Sequence, residues 1–221
     1  MPEQQGAPGS RRKTARSQET TGKQETGGRR ETSARRRDKI LEAAVMCFLE
    51  KGYHQTGVRD IARRAGVSLG NLYNHFPGKH DVLAEIATLE RSEIEPLLRL
   101  LAKPAPVLET LDRFIAAYAA YLAVPENIIL TIEITSEAIR KPDIAEMFLG
   151  NRETLVAALA SVLGRGLDDG DIRPIAEPSE MAKLILELIE GSAYRSVLGG
   201  SAIAEIGTGV RDFIFAAVRN P

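Results

Sequence analysis

The chain has 221 residues, a formal net charge of −1, 43% hydrophobic residues and one cysteine. That length holds one small domain and one of medium size, and no run of about eighteen apolar residues is present to span a membrane. Cys47 cannot form an internal disulfide, and the polar, basic amino terminus lacks the apolar segment of a secretory signal, so the cytoplasm is the expected compartment.

The near-zero net charge hides a division. Residues 1–80 carry 16 Lys/Arg and 8 Asp/Glu, a net of +8; the remainder of the 29 and 30 in the chain, 13 and 22, gives residues 81–221 a net of −9. A basic front end on an acidic body is the charge pattern of a protein that turns one surface toward phosphates.

Residues 1–34 are rich in Gly, Ser, Thr, Gln and Arg and are expected to be disordered. The basic clusters Arg11–Lys13, Arg29–Arg30 and Arg35–Arg37 read either as a solubilising tail or as an arm that reaches an adjacent minor groove. The first helix is predicted over Asp38–Lys51, with Ile40, Leu41, Ala44, Val45 and Phe48 inward and Cys47 a small buried hydrophobe.

Thr56–Lys79 carries the most information. Val58, Ile61 and Ala62 share one face of a short helix, Asp60 lies in its first turn, and Gly66 supplies a left-handed stop. Ser68 then caps a second helix over Leu69–Phe76, pinned by Leu72 and Phe76. Two short helices joined by a tight turn form a helix-turn-helix, whose second helix meets base edges with its amino-terminal residues. Leu69, Gly70 and Asn71 are therefore expected at the bases: Asn71 matches adenine, Leu69 a thymine methyl, and Gly70 lets the backbone approach. Tyr73, His75 and Lys79 are phosphate-contact types, as are Arg36, Arg37, Arg59 and Ser68; ordinary packing is the alternative for Tyr73 and His75.

This segment resembles the DNA-binding domain of the tetracycline-repressor (TetR/AcrR-type) family of bacterial transcriptional regulators. In that family the first helix ends in Phe-x-x-x-Gly-Tyr/Phe, matched by Phe48, Gly52 and Tyr53. The next two helices match its pattern at Ile61, Ala62, Ala65, Gly66, Val67, Ser68, Gly70, Leu72, Tyr73, His75, Phe76 and Lys79. The close match covers about residues 36–83. Where the family usually carries two adjacent hydroxyl residues this chain has Thr56-Gly57, so a phosphate contact from that position falls to Thr56.

Beyond Lys79 the pattern stays helical. A long helix runs from Lys79 to about Leu101, with Val82, Leu83, Ile86, Leu89 and Ile94 as its apolar stripe, kinked or cut short by Pro96. Further helices are predicted over Val107–Ala123, Glu126–Arg140, Pro142–Leu167, Glu177–Leu198 and Ala202–Arg219, about nine in all. Asp168–Asp171 is a turn without the spacing of a calcium loop, and no metal or cofactor is expected.

The resemblance implies an all-α fold. A three-helix DNA-binding domain (residues 35–80) would precede a helical ligand-binding and dimerisation domain (81–221). It further implies a homodimer, a double-stranded operator and a small-molecule effector, with repression as the expected sign of control. Polar or aromatic residues within apolar stripes are the ligand candidates: Tyr118, Tyr121, Glu133, Glu137, Phe148 and Arg152. Glu133 and Glu137, four apart, share a face and would favour a cationic ligand if that face lines a cavity. Leu184, Leu188, Gly191, Tyr194, Phe213, Ile214 and Ala217 are the dimer candidates, Gly191 because a helical glycine suits close helix approach.

Two other classes compete. An enzyme lacks support, with no phosphate loop, paired Cys/His ligands or nucleophile motif, and with His54, His75 and His80 all in or beside the DNA-reading segment. An architectural or protein-binding helical module would protect no defined DNA site.

Overall fold

The computed structural model describes residues 19–199 and 203–220, with side chains from residue 33 to 199 and 208 to 220. Nine helices account for most of the described residues, which contain no strand beyond one isolated bridge between Ile172 and Arg219. They are α1 (Glu19–Lys51), α2 (Val58–Ala65), α3 (Leu69–His75), α4 (Lys79–Ala102), α5 (Val107–Leu122), α6 (Pro125–Ala138), α7 (Pro142–Asp168), α8 (Pro178–Gly199) and α9 (Ile203–Val218).

Two differences from the sequence reading stand out. α1 begins at Glu19, so residues 19–34 continue the helix instead of forming part of a disordered tail; no proline interrupts the chain between Glu19 and Lys51. Residues 1–18, including the Arg11–Lys13 cluster, lie outside the described residues. Pro96 neither ends nor shortens α4. It is exposed, and the carbonyl deprived of a donor belongs to Ser92, also exposed, where solvent replaces the missing bond.

Two apolar cores organise the helices. The first joins Ile40, Ala44 and Phe48 of α1 to Ile61, Leu72 and Phe76, all buried. It does not stop at residue 80: Val82, Leu83 and Ile86 of α4, Ile134 of α6 and Ile144 of α7 belong to it. The second core fills the space between α4, α5, α7, α8 and α9, around Leu111, Phe114, Leu159, Leu163 and Leu186. Side chains of this size contribute about 1.5–3 kcal/mol each on full burial. At Gly166 of α7 an added Cβ would lie 2.7 Å from Val107 Cγ1 at the start of α5 and 3.2 Å from Ile172 Cγ1.

The chain bends by 81° between α5 and α6, which sends α6 back toward the first core. No single helix among the described residues is long and apolar enough to cross a membrane.

Candidate DNA-reading surface and cavity of the body

The α2–turn–α3 unit follows from local rules. Gly57, in extended conformation, precedes α2 without a capping side chain; the Asp60 carboxylate instead accepts its N–H at 3.1 Å. That bond holds the Asp60 carboxyl below its usual range. Gly66 has φ +67°, and its N–H and that of Val67 return to carbonyls of α2, a left-handed helix stop that favours glycine. Ser68 caps α3 by accepting the Asn71 N–H at 3.1 Å.

On this unit Arg36, Arg59, Ser68, Gly70 and Tyr73 are exposed, Leu69, Asn71 and His75 half-buried. Asn74, missed in the sequence reading, is exposed on the same short helix. The Asn71 side-chain oxygen is buried without a partner, so its amide must turn outward to read a base. Three further DNA candidates are otherwise engaged. Thr56 is 1% exposed, and its hydroxyl donates to the carbonyls of Cys47 (3.1 Å) and Gly52 (2.9 Å), which corrects its reading as a substitute phosphate contact. Lys79 donates to the carbonyls of Tyr53 (2.6 Å) and Thr56 (3.0 Å) and lies 4.2 Å from the Tyr53 ring centroid, so it ties α4 to the end of α1. Arg37 pairs with Glu85 and stacks over Phe76, bracing α1 against α4.

The glycine of the Phe48–Gly52–Tyr53 signature has a definite cause here. Gly52 has φ +76°, and an added Cβ would lie 3.2 Å from Glu133 Oε1. The Glu133 carboxylate accepts the Tyr53 N–H at 2.7 Å. One turn along α6, Glu137 is 3% exposed with Oε1 2.8 Å from His54 Nε2, an ion pair when the imidazole is protonated although poorly aligned as a hydrogen bond. Glu133 and Glu137 do share a face, but it grips the end of α1, and neither residue lines the body's cavity. Their assignment as ligand residues is corrected accordingly. At the same level His80 Nε2 lies 2.5 Å from Asp143 Oδ2 of α7.

A cavity of ≈ 280 Å³ lies in the body between α4, α5, α6, α7 and α8. Tyr118, Tyr121, Phe148 and Arg152 line it. So do Glu90, Glu190 and Tyr194, of which Tyr194 was expected at a dimer surface and is turned inward instead. Glu90 was missed because it sits in a charged stretch that looks solvated, and Glu190 was missed although its neighbours are mostly apolar. Their signal is positional: Glu90 falls four residues after Ile86 and four before Ile94, and Glu190 four from both Leu186 and Tyr194. Leu89, assigned to the α4 stripe, is 44% exposed, so the stripe passes through Glu90.

The polar bonds within the cavity are specific. Tyr118 donates to Glu190 Oε1 at 2.8 Å, and Asn151 donates to Glu90 Oε2 at 3.2 Å and to the Ala87 carbonyl at 2.9 Å. Arg152 lies 2.7 Å from Glu187 Oε1 and 3.5 Å from Glu190 Oε2. Burial pushes the Glu90 carboxyl up to about 7 and raises that of Glu190. Tyr118 and Tyr121 stack nearly parallel, 6.3 Å between centroids.

A second, apolar groove of ≈ 310 Å³ runs between α8 and α9, lined by Leu184, Leu188, Phe213, Ile214 and Ala217. Leu184 is 56% and Phe213 64% exposed, whereas Ile214 is buried. At Gly191 an added Cβ would meet nothing within 4 Å in the same chain. Among the described residues no group of three or more His, Cys, Asp or Glu is arranged to hold a metal.

Residues 40–86 match the family model of bacterial regulatory proteins of the tetR family, and residues 107–206 match that of the carboxy-terminal domain of BetI-type transcriptional repressors. The chain belongs to the TetR family of bacterial transcriptional regulators. It is accordingly a DNA-binding regulator and not an enzyme. Among TetR-family relatives it is 26% identical over 157 residues to the regulator UidR of Escherichia coli K12, covering 70% of this chain and 78% of the relative. Two solved structures share its fold. A transcriptional regulator from Saccharomonospora viridis in complex with choline has a TM-score of 0.76 and 22% identity, over 85% of this chain and 100% of that one. The regulator FadR of Bacillus subtilis in complex with stearoyl-CoA has a TM-score of 0.69 and 23% identity, over 80% and 96%. TetR-family regulators bind DNA operators and small-molecule effectors, typically as dimers.

Proposed function

We propose that this chain is a homodimeric, cytoplasmic repressor that grips a near-palindromic operator and is released when a small molecule occupies the cavity between α4 and α8. The observation that carries this reading is the double duty of α6. Thr131 and Thr135 line the cavity, while Glu133, Ile134 and Glu137, on other positions of the same helix, hold Tyr53, the first core and His54. A ligand that shifts α6 therefore moves the grip on the end of α1, and with it the orientation of α2 and α3. The operator-binding state loses population by as much as the ligand's differential affinity for the two states allows.

In this reading residues of about 35–80, completed by the first turns of α4, form the DNA-reading unit, and the rest senses and dimerises. Gly70, Asn71 and Leu69 meet base edges; Arg36, Arg59, Ser68, Tyr73 and His75 meet phosphates. The α8–α9 groove, with Leu184, Leu188, Phe213 and Ala217, packs against its copy in a second subunit, with Gly191 admitting the partner's close approach. Choline and stearoyl-CoA in two relatives of the same fold differ in charge and size, so likeness of fold does not select the ligand.

The test couples two readouts on the same protein. Compounds are first ranked by the rise they cause in thermal midpoint, then added to a complex of the protein with DNA from upstream of its own gene. A compound that stabilises the protein through the cavity is expected to dissolve the complex. Cavity ligands that leave DNA affinity unchanged would overturn the proposal.

A further inference from the structure

We infer that the cavity takes an organic cation, an ammonium group carrying a short apolar chain. The inference rests on the reading of this cavity as the effector site and commits it to one ligand charge.

The lining carries three carboxylates, Glu90, Glu187 and Glu190, against one guanidinium, Arg152. Arg152 is already committed to Glu187 and Glu190 at 2.7 and 3.5 Å. Glu90 has an amide donor from Asn151 at 3.2 Å, and no basic side chain among the described residues lies within ion-pair distance of it. A carboxylate taken out of water without a positive partner is costly to ionise, and an ammonium ligand supplies that partner. Tyr118, Tyr121 and Tyr194 line the same cavity, and aromatic faces attract a desolvated cation by their quadrupole.

The alternatives fit less well. An anion would meet three carboxylates with one arginine already bridged, and a neutral molecule would gain no ion pair from Glu90. A volume of ≈ 280 Å³ falls at the small end of ligand pockets, ~300 Å³ and upward, which suits a compact ammonium.

The empty cavity favours protonated Glu90 up to about pH 7 because of burial, with Glu93 on its own helix and Glu190 on α8 adding repulsion and Asn151 on α7 opposing them. Seating a cation expels that proton. Ammonium affinity is therefore expected to rise between pH 6 and 8, and that rise should shrink in Glu90→Gln, with the raised Glu190 carboxyl carrying what is left.

The experiment is calorimetric titration of the full chain with hexyltrimethylammonium, hexanol and hexanesulfonate. The ammonium should bind at least about tenfold tighter than hexanol, with the sulfonate weakest. Glu90→Gln and Glu190→Gln should each lower ammonium affinity by about tenfold while leaving hexanol unchanged. Arg152→Gln, which removes the competing cation, should raise ammonium affinity. Equal binding of ammonium and hexanol, tightest binding of the sulfonate, or no binding by any of the three overturns the cation inference. Ammonium-selective binding with operator affinity unchanged would leave the inference standing and sink the effector-site reading.

Discussion

Replacing Glu90 by glutamine should stabilise the unliganded protein at pH 8 and change it little at pH 4.5. Burial lifts the Glu90 carboxyl from 4.5 to about 7 in the folded state. Below the unfolded value both states hold the proton and the group costs nothing. Between 4.5 and 7 the unfolded chain gives up its proton while the folded one keeps it, so stability falls as pH rises; above 7 the cost is complete. A rise of roughly 2.5 in pKa at about 1.4 kcal/mol each sets a ceiling of about 3.5 kcal/mol, and a smaller effect of about 1–3 kcal/mol is expected because the group is only partly buried. Glutamine keeps the acceptor for Asn151 Nδ2, so the substitution removes charge and little else. The assay is urea unfolding of both proteins at the two pH values, read as a shift in midpoint at unchanged slope. Comparing variant with parent cancels the other groups that titrate in the same range. A variant no more stable at pH 8, or equally stabilised at both, would refute the view that Glu90 is a carboxylate in want of a cation.

Other substitutions probe separate parts of the account. Gly166→Ala forces a methyl to within 2.7 Å of Val107 Cγ1 and should cost about 1–3 kcal/mol, measured by urea unfolding. Leu184→Glu with Phe213→Glu should yield a monomer in sedimentation with helix content intact by circular dichroism; a persistent dimer would move the interface elsewhere. Arg59→Ala should weaken operator binding and lower the salt slope by about one, whereas Thr56→Val, whose hydroxyl faces inward, should leave the salt slope unchanged. Glu133→Ala removes the acceptor of the Tyr53 N–H and should reduce the loss of operator affinity on ligand binding without reducing ligand affinity itself.

Much of the fold was legible because helix ends carry local signals. Gly66, Ser68 and Pro142 stop or start helices by backbone conformation, capping and a missing donor, and all three act so in the structure. Pro96 sends the same kind of signal and is overridden, since packing of Ile94, Leu97 and Leu101 on either side holds α4 together. Periodicity revealed that Glu133 and Glu137 share a face. It could not say what that face meets, because the partners Tyr53 and His54 are some 80 residues away in sequence. Glu90 escaped notice for the converse reason: charged neighbours masked its place on the buried stripe. Lys79 and Arg37 have the residue types of phosphate contacts, yet carbonyls, an aromatic ring and Glu85 engage them first.

The central claim is that this TetR-family chain reads a defined DNA site as a symmetric pair. Footprinting of the purified protein on the DNA upstream of its own gene tests it most directly. The account predicts one protected near-palindrome with half-sites about one helical turn, ~34 Å, apart. Protection spread along the fragment without a defined site would contradict it.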